Sequence, residues 1–142
     1  MKHYSFEEMT IGMEASFDVI ITEHEMEAFR VLSGDENPMH MDENYAKDRG
    51  FDGRVVYGML AAAYYSRLVG MELPGEKCLI NEVKLTFANP IYAGERLKVR
   101  GEVTDLREGT RRMKVKANMT DEAGNIRNEA VITVSFTEDV SS

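Results

Sequence analysis

The sequence is poor in the residues that mark several large classes of protein. It has no tryptophan, one cysteine (Cys78) and three prolines among 142 residues. A lone cysteine excludes an internal disulfide, and we expect Cys78 to pack as a small apolar side chain rather than act as a nucleophile. No apolar run approaches the roughly 20 residues that span a bilayer, and Met1 to Glu8 lack the basic-then-apolar order of a secretory signal. These features predict a cytoplasmic protein with no membrane partner.

Basic residues are outnumbered by acidic ones. Seventeen Lys and Arg stand against 25 Asp and Glu, which gives a formal net charge of −8. Such a surface repels the phosphates of nucleic acids and anionic membranes, so neither is an expected partner. A local basic cluster could still bind a phosphorylated ligand such as coenzyme A. The length suits one domain, residues 1–142, that is large enough to bury a core.

Helical signals dominate the first half of the chain. Thr22 to Glu25 fits a capping box, and Gly34 ends the helix that this box begins. Asp42 is expected to cap a short helix that runs to about Asp48. The run from Gly58 to Val69 has almost no polar face, which is typical of a helix buried inside a small domain.

The second half of the chain changes to a period of two. From Cys78 onward, apolar and polar residues alternate in four segments, and Gly109 and Gly124 mark turns between the last three. Alternation gives each strand one wet face and one dry face. The only large apolar element that could cover the dry face is the Gly58–Val69 helix. The sequence therefore predicts an α+β fold in which a curved antiparallel sheet wraps around a central buried helix.

Groups capable of acid–base chemistry lie around a proline. Asp35 and His40 flank Pro38, which lacks an N–H, so we expect an irregular loop here and no regular helix through it. A loop of this length can turn both side chains into one cleft, where a carboxylate and an imidazole could hold a water molecule, remove one proton and return another. Each residue also has a structural explanation: Asp35 as a turn residue beside Gly34, and His40 as a residue of a first helical turn.

Other candidates carry the same two kinds of explanation. The Asn37 amide can tie down the turn that the following proline requires. Gly58 begins the apolar helix, where free amides could stabilise an oxyanion, or it could simply permit close packing. Ser66 lies about two turns further along and could bond back to a helix carbonyl. Three scattered histidines and one cysteine make a poor ligand set, so no metal site is expected.

Three stretches together resemble the MaoC-like, (R)-specific enoyl-CoA hydratase family of hot-dog proteins. They are Ser33 to Asp42 (SGDENPMHMD), which matches the family's hydratase motif; Tyr57 to Leu60 with Ser66, Gly70 and Leu73 to Gly75, which match its central-helix segment; and Phe87 to Glu95, which resembles the strand and bend that follow. The similarity extends over nearly the whole chain, and the first motif is the most specific of the three.

This resemblance implies a reaction and roles for particular residues. The reaction is reversible syn addition of water to a 2-enoyl thioester, which gives an (R)-3-hydroxyacyl thioester. Asp35 and His40 would be the catalytic pair that grips the water, with Asp35 favoured as the formal base. The Gly58 amide would donate to the thioester carbonyl, and Ser66 would help to orient the catalytic groups. Tyr57 departs from the histidine that many members carry before the helix-opening glycine, which affects substrate fit and the entrance to the site.

The resemblance also bears on cofactors and partners. No prosthetic group is needed, because the thioester supplies the activation, and coenzyme A or an acyl carrier protein enters as part of the substrate. A homodimer or a dimer of dimers is implied, with sheets joined edge to edge and acyl tunnels near the interface. Two alternatives remain on the same scaffold. A thioesterase would release free thiol, and a non-catalytic acyl-thioester binding module would leave Asp35 and His40 idle.

Overall fold

The computed structural model describes residues 1–137, which form one five-stranded sheet and several helices. The α-helices are α1 (Glu23–Ser33), α2 (Pro38–Met41), α3 (Glu43–Asp48) and α4 (Gly58–Arg67), and α4 continues into a wider π-helical turn, Leu68–Glu72. The strands are β1 (Glu14–Ile20), β2 (Cys78–Phe87), β3 (Arg96–Arg107), β4 (Arg112–Thr120) and β5 (Ile126–Phe136). Among the described residues, no helix has both the length and the apolar character that a bilayer crossing requires.

All five strands pair antiparallel in the order β1-β3-β4-β5-β2, so β1 and β2 form the two edges. The central strands have the dry face that the alternation predicts: Val99, Val115 and Ile132 are fully buried there. This face receives α4 and the turn that follows it. The α+β architecture predicted from the sequence, a sheet around a central helix, is confirmed.

The ends of the first helices follow local chemistry. Thr22 and Glu25 form the predicted capping box, and Gly34 ends α1 with a positive φ of 75°. The hydrogen bond from Thr22 lowers the pKa of Glu25. In contrast to the predicted irregular loop, one helical turn, α2, begins at Pro38. A proline is compatible with this first helical position because its missing N–H would have had no partner there.

α4 differs from the prediction in its end and in its burial. Its α-helical pattern stops at Arg67, two residues before the predicted end, and the π turn then carries Leu68 into the core. One face of α4 remains open within a single chain: Met59 is 61% exposed, and Ala63 and Ser66 are also exposed. The apolar pattern predicted burial on all sides because composition alone does not distinguish a face covered by its own sheet from a face left for another surface.

The edge strand β2 is also left open on its core side. Ile80 and Val83 stand directly opposite the buried residues Val134 and Ile132, so their side chains share the core-facing side of the sheet. Even so, each is 39% exposed, and Phe87 at the end of the strand is 50% exposed. The sheet therefore has an uncovered apolar margin along β2.

The close approach of the helical layer to the sheet depends on Gly101 in β3. A Cβ atom at this position would lie 2.7 Å from Cδ2 of Leu68 and 2.9 Å from Cγ1 of Val115. Both contacts are shorter than packed carbon atoms tolerate. The absence of a side chain at Gly101 therefore lets Leu68 sit directly on the sheet.

We expect Gly101→Ala to lower the free energy of unfolding by about 1–3 kcal/mol, because the added methyl group must displace Leu68 or Val115 within a packed core. Gly109→Ala is the matched control, since a Cβ there meets no atom within 4 Å and its φ is not positive. Urea unfolding of both variants measures the difference. Equal midpoints for the two would contradict this packing.

Candidate active site

A cavity of about 310 Å³ lies beside the first turn of α4. Three of its lining residues carry chemistry of interest: His40, the backbone of Gly58, and Asn128. The remaining lining residues are mostly apolar: Phe51, Val55, Val56, Ala61, Phe87, Ala88, Asn89, Pro90 and Ile91. A small apolar chamber with a few convergent polar groups is the usual form of a binding site for an organic ligand.

The His40 ring has a fixed orientation. Its Nδ1 lies 2.7 Å from the carbonyl oxygen of Val55. Because a carbonyl oxygen only accepts hydrogen bonds, Nδ1 must carry the hydrogen, and the neutral ring then has its lone pair on Nε2. The ring also stacks on Tyr57, with centroids 4.0 Å apart. His40 is thus held at the cavity with Nε2 able to accept a proton. The role of Val55 was not predictable from the sequence, since a backbone carbonyl leaves no signal in residue type.

Tyr57 is the residue that joins the parts of the site. Its hydroxyl donates to the backbone carbonyl of Asp35 at 2.7 Å, and its ring lies between His40 and Phe29, whose centroid is 4.8 Å away. The side chain is 2% exposed. Burial, and then the nearby Asp35 carboxylate, raise the pKa of Tyr57, so the hydroxyl stays a donor. The residue that departs from the family's histidine therefore connects the Asp35 loop to the His40 ring.

Asp35 itself is exposed and does not line the cavity. Its Oδ1 accepts from the Asn37 N–H at 3.0 Å, and its own N–H donates to Oγ of Ser33 at 3.1 Å. The structure thus places the Asp35 backbone beside Tyr57, one ring away from His40, without placing the carboxylate in the cavity wall of a single chain. The catalytic pairing of Asp35 with His40 stays a prediction.

Asn37 has the structural role that the proline turn suggested. Its side-chain oxygen accepts from the Met39 N–H at 3.0 Å and caps α2, the turn that carries His40. Asp42 likewise caps α3 through the Tyr45 N–H, as predicted. These two caps mark the start and the end of the helical turn that carries His40.

Gly58 begins α4 beside the cavity and packs closely against Phe87, and its role toward an oxyanion stays a prediction. The residue before it, Tyr57, offers no side-chain hydrogen bond to the first turn of α4, because its hydroxyl is directed to Asp35. The first amides of α4 are therefore left at the positive end of the helix dipole, beside the cavity. Glycine also permits close packing, since a Cβ at this position would lie 3.1 Å from Cε1 of Phe87.

Two other predicted residues lie away from this cavity. Ser66 is on the exposed face of α4, does not line the cavity, and has no hydrogen bond within the described chain, so its supporting role stays a prediction. Cys78 packs against the core at the start of β2, and burial raises the pKa of its thiol to about 11. The sulfur therefore lacks the thiolate character of a nucleophile, as expected from the sequence.

An ion-pair cluster supports the wall of the cavity that runs from Phe87 to Ile91. Arg127, whose side chain is 15% exposed, contacts Glu95 at 2.5 Å and Asp121 at 3.1 Å, and donates to the Pro90 carbonyl at 2.6 Å. Burial acts to lower the pKa of Arg127, but the two carboxylates outweigh it and raise the pKa. This cluster joins the β4–β5 turn to the loop after β2.

A larger open cavity of about 620 Å³ lies elsewhere, rimmed by Glu23, Glu43, Asp52, Glu95 and Arg54. It has neither a histidine nor the start of α4, and its carboxylates repel anionic ligands. Within residues 1–137, no group of three His, Cys, Asp or Glu residues is arranged to hold a metal ion. The smaller chamber at His40 is therefore the candidate active site.

Comparison with known proteins identifies one family and consistent relatives. The model of the MaoC like domain matches residues 7–125. Over 104 residues the chain is 35% identical to the (R)-specific enoyl-CoA hydratase of Aeromonas caviae, which covers 73% of this chain and 78% of that protein. It is 36% identical over 104 residues to the enzyme of that name from Rhodospirillum rubrum, covering 73% and 72% of the two chains. The solved (R)-hydratase from A. caviae superposes with a TM-score of 0.86 at 29% identity, over 91% of this chain and 98% of that one.

We expect Tyr57→Phe to loosen the Asp35 loop while the ring contacts with His40 and Phe29 persist. Loss of one buried hydrogen bond should lower the free energy of unfolding by about 1 kcal/mol and speed amide hydrogen exchange between Asp35 and Met39. Tyr45→Phe is the control, because the Tyr45 hydroxyl makes no hydrogen bond within residues 1–137 and its ring contact with Arg49 is retained. Unchanged exchange in Tyr57→Phe would show that its hydroxyl does not hold the loop.

Proposed function

This chain belongs to the MaoC-like family, and we propose that it is a hydro-lyase that adds water reversibly across the double bond of a 2-enoyl thioester. Its family, its hot-dog fold and this class of reaction follow from its similarity to (R)-specific enoyl-CoA hydratases in sequence and structure. One observation carries the assignment to residues. His40 and the uncapped start of α4 at Gly58 share a small apolar chamber.

The start of α4 activates the substrate. The thioester carbonyl is placed at the Gly58 N–H, where an amide donor and the helix dipole stabilise negative charge on the oxygen. Withdrawal of electrons toward this oxygen leaves C3 of the enoyl group open to attack by water. The thioester provides the conjugated acceptor, so the reaction needs no prosthetic group, and coenzyme A or an acyl carrier protein enters only as part of the substrate.

His40 and Asp35 transfer the protons. In a single chain the Asp35 carboxylate is exposed and outside the cavity, so the mechanism requires it to turn toward His40 Nε2. Water held between these two groups then loses one proton to the pair as its oxygen bonds to C3, and the pair returns one proton to C2. The pair therefore ends each turnover in its starting protonation state. The hydrogen bond from Nδ1 to Val55 leaves the lone pair on Nε2, so His40 as well as Asp35 has a free lone pair that can take the proton from water. Both transfers occur on one face of the double bond, which makes the addition syn. The (R) configuration of the product is inferred from the similarity to (R)-specific enoyl-CoA hydratases, because it depends on which face the water attacks.

The proposed assembly is a homodimer of single hot-dog domains, each spanning residues 1–142. The open core side of β2, with Ile80, Val83 and Phe87, lies at a free sheet edge, and an exposed edge of this kind is a template for pairing with another strand. A second copy fits it best, because antiparallel pairing of β2 with its own copy would cover the apolar margin symmetrically. The exposed face of α4 with Met59 and Ser66 gives such a copy a second contact. The cytoplasmic location predicted from the sequence stays part of this proposal.

Replacing either catalytic residue should abolish hydration without unfolding the protein. For Asp35→Asn and for His40→Gln we expect kcat to fall by about 10²–10⁴-fold, measured as loss of the conjugated enoyl-thioester absorbance. The double variant should be little worse than either single one, because the two residues act as a unit.

The matched controls are Asp48→Asn and His24→Gln, which make the same chemical changes at exposed positions outside the cavity and should keep near wild-type rates. A parallel assay of free thiol separates hydration from thioester hydrolysis. Thiol release from saturated acyl-CoA that depends on Asp35 would replace the hydratase with a thioesterase, and full activity of both variants would remove this pair from the mechanism.

Charge placed on the open margin of β2 should separate the dimer. We expect Val83→Glu to shift the protein to monomer in sedimentation velocity runs, because a carboxylate would be buried between two apolar margins. Leu32→Glu is the control: Leu32 is an apolar residue on α1 that is 84% exposed and lies outside the proposed interface. A wild-type protein that stays monomeric at micromolar concentration would rule out the assembly.

A further inference from the structure

The candidate active site contains a polar group that the proposed mechanism does not use. Within residues 1–137, Asn128 is the one buried residue, apart from tyrosines with their hydroxyls, that has a polar side chain, and it is 1% exposed. It stands opposite Phe87 on the core-facing side of β5, two positions before the buried Ala130. A buried amide destabilises the fold unless its donors and acceptor find partners. Asn128 therefore requires a physical explanation.

The side-chain oxygen of Asn128 has a partner in Tyr65 of α4. The Tyr65 hydroxyl, on a side chain that is 1% exposed, donates to Oδ1 of Asn128. Burial, followed by the charge of Glu129, raises the pKa of Tyr65, so the hydroxyl remains protonated. With Oδ1 engaged by this donor, the two hydrogens of Nδ2 remain to be satisfied. Within residues 1–137, no hydrogen bond joins Nδ2 to another protein group.

The other surface that Asn128 contacts is the chamber of the candidate active site. Asn128 lines the same cavity as His40 and Gly58. Ala61, one turn along α4 from Gly58, also lines it, and Tyr65 follows one turn later. An acyl group bound with its carbonyl at Gly58 extends into a chamber of about 310 Å³ whose wall includes the Asn128 amide. The chamber is small, so the amide is within reach of even a short chain.

We propose that Asn128 is a specificity residue whose Nδ2 donates a hydrogen bond to an oxygen atom carried by the acyl chain of the substrate. This inference rests on the proposed function and narrows its substrate class to enoyl thioesters with a hydroxyl or ketone oxygen on the acyl chain. A plain alkyl chain would cover the amide without a partner, and sites built around a hydrogen bond reject such analogues strongly. The oxygen is neutral, because no Lys or Arg is among the described residues that line the cavity.

The test compares matched substrates. The first pair is a short enoyl-CoA that ends in a hydroxyl and the chain of equal atom count that ends in a methyl group. The second pair is a chain that ends in a methyl ketone and its analogue with a methylene group in place of the oxygen. For the wild-type enzyme we expect kcat/KM to favour the oxygen-bearing member of each pair by at least about tenfold.

Three variants then assign the preference to the amide. Asn128→Leu keeps the branched shape and removes both polar atoms, and should abolish or reverse the preference. Because that change leaves the Tyr65 hydroxyl with only its long 3.4 Å contact to the backbone carbonyl of residue 128, Tyr65→Phe/Asn128→Leu removes both polar side-chain groups together and should fold well with the same reversed preference. Asn118→Leu on the neighbouring strand is the control: its side chain lies outside the cavity, and the preference should persist. Circular dichroism and urea unfolding establish that each variant is folded.

Binding is measured separately from turnover, by calorimetry with saturated acyl-CoA thioesters that do or do not carry the hydroxyl. Hydration of both members of each pair at equal kcat/KM would overturn the role of Asn128 and leave the hydratase reaction intact. A preference that survives in the folded double variant would also overturn it. If no enoyl thioester is hydrated, the proposed reaction fails. The calorimetric comparison then still decides whether Asn128 binds an oxygen atom of the acyl chain, because a preference for the hydroxylated thioester supports this and equal affinities contradict it.

Discussion

The arrangement of the site depends on the hydrogen bond that the Tyr57 hydroxyl donates. Tyr57 occupies the position before α4 where a Ser, Thr or Asp would normally cap the helix, and its hydroxyl instead reaches the Asp35 carbonyl. This contact ties down the motif loop, and because a tyrosine cannot cap the helix as those short side chains do, the first turn of α4 has no side-chain cap. The Tyr57 ring stacks on His40, so one side chain contacts the imidazole and the loop and stands at the start of the helix. Electrostatic catalysis depends on such groups being fixed before the substrate arrives.

Local chemistry in the sequence predicted most of the fold. The Thr22 capping box, the Asp42 cap and the alternation of β3 to β5 are short-range signals, and each appears in the structure as expected. The helical turn at Pro38 was missed because proline has two opposite effects. It breaks a helix when it lies in the interior, but it is compatible with the first position of a helix. The exposed side of α4 was missed because apolar composition shows that a face avoids water without showing which surface covers it.

The site was less accessible to sequence reasoning, for two different reasons. The carbonyl of Val55 orients His40, yet any residue type supplies a carbonyl, so nothing in the sequence could reveal it. Asn128 did leave a signal: continuing the alternation of β5 back from Ala130 places an amide on the dry face. Its partner, Tyr65, lies 63 residues away, and only the packing of α4 on the sheet shows that the two meet in the chamber.

The hydrogen bond between His40 and Val55 has a consequence for the catalytic cycle. The ring nitrogen that faces the carbonyl carries its hydrogen in the neutral imidazole and in the imidazolium alike. Gaining or losing a proton at the other nitrogen therefore breaks no contact and requires no ring flip. In the proposed mechanism the imidazole changes its charge state while the ring stays in place, so proton transfer in either direction of the reaction requires no reorganisation of the side chain.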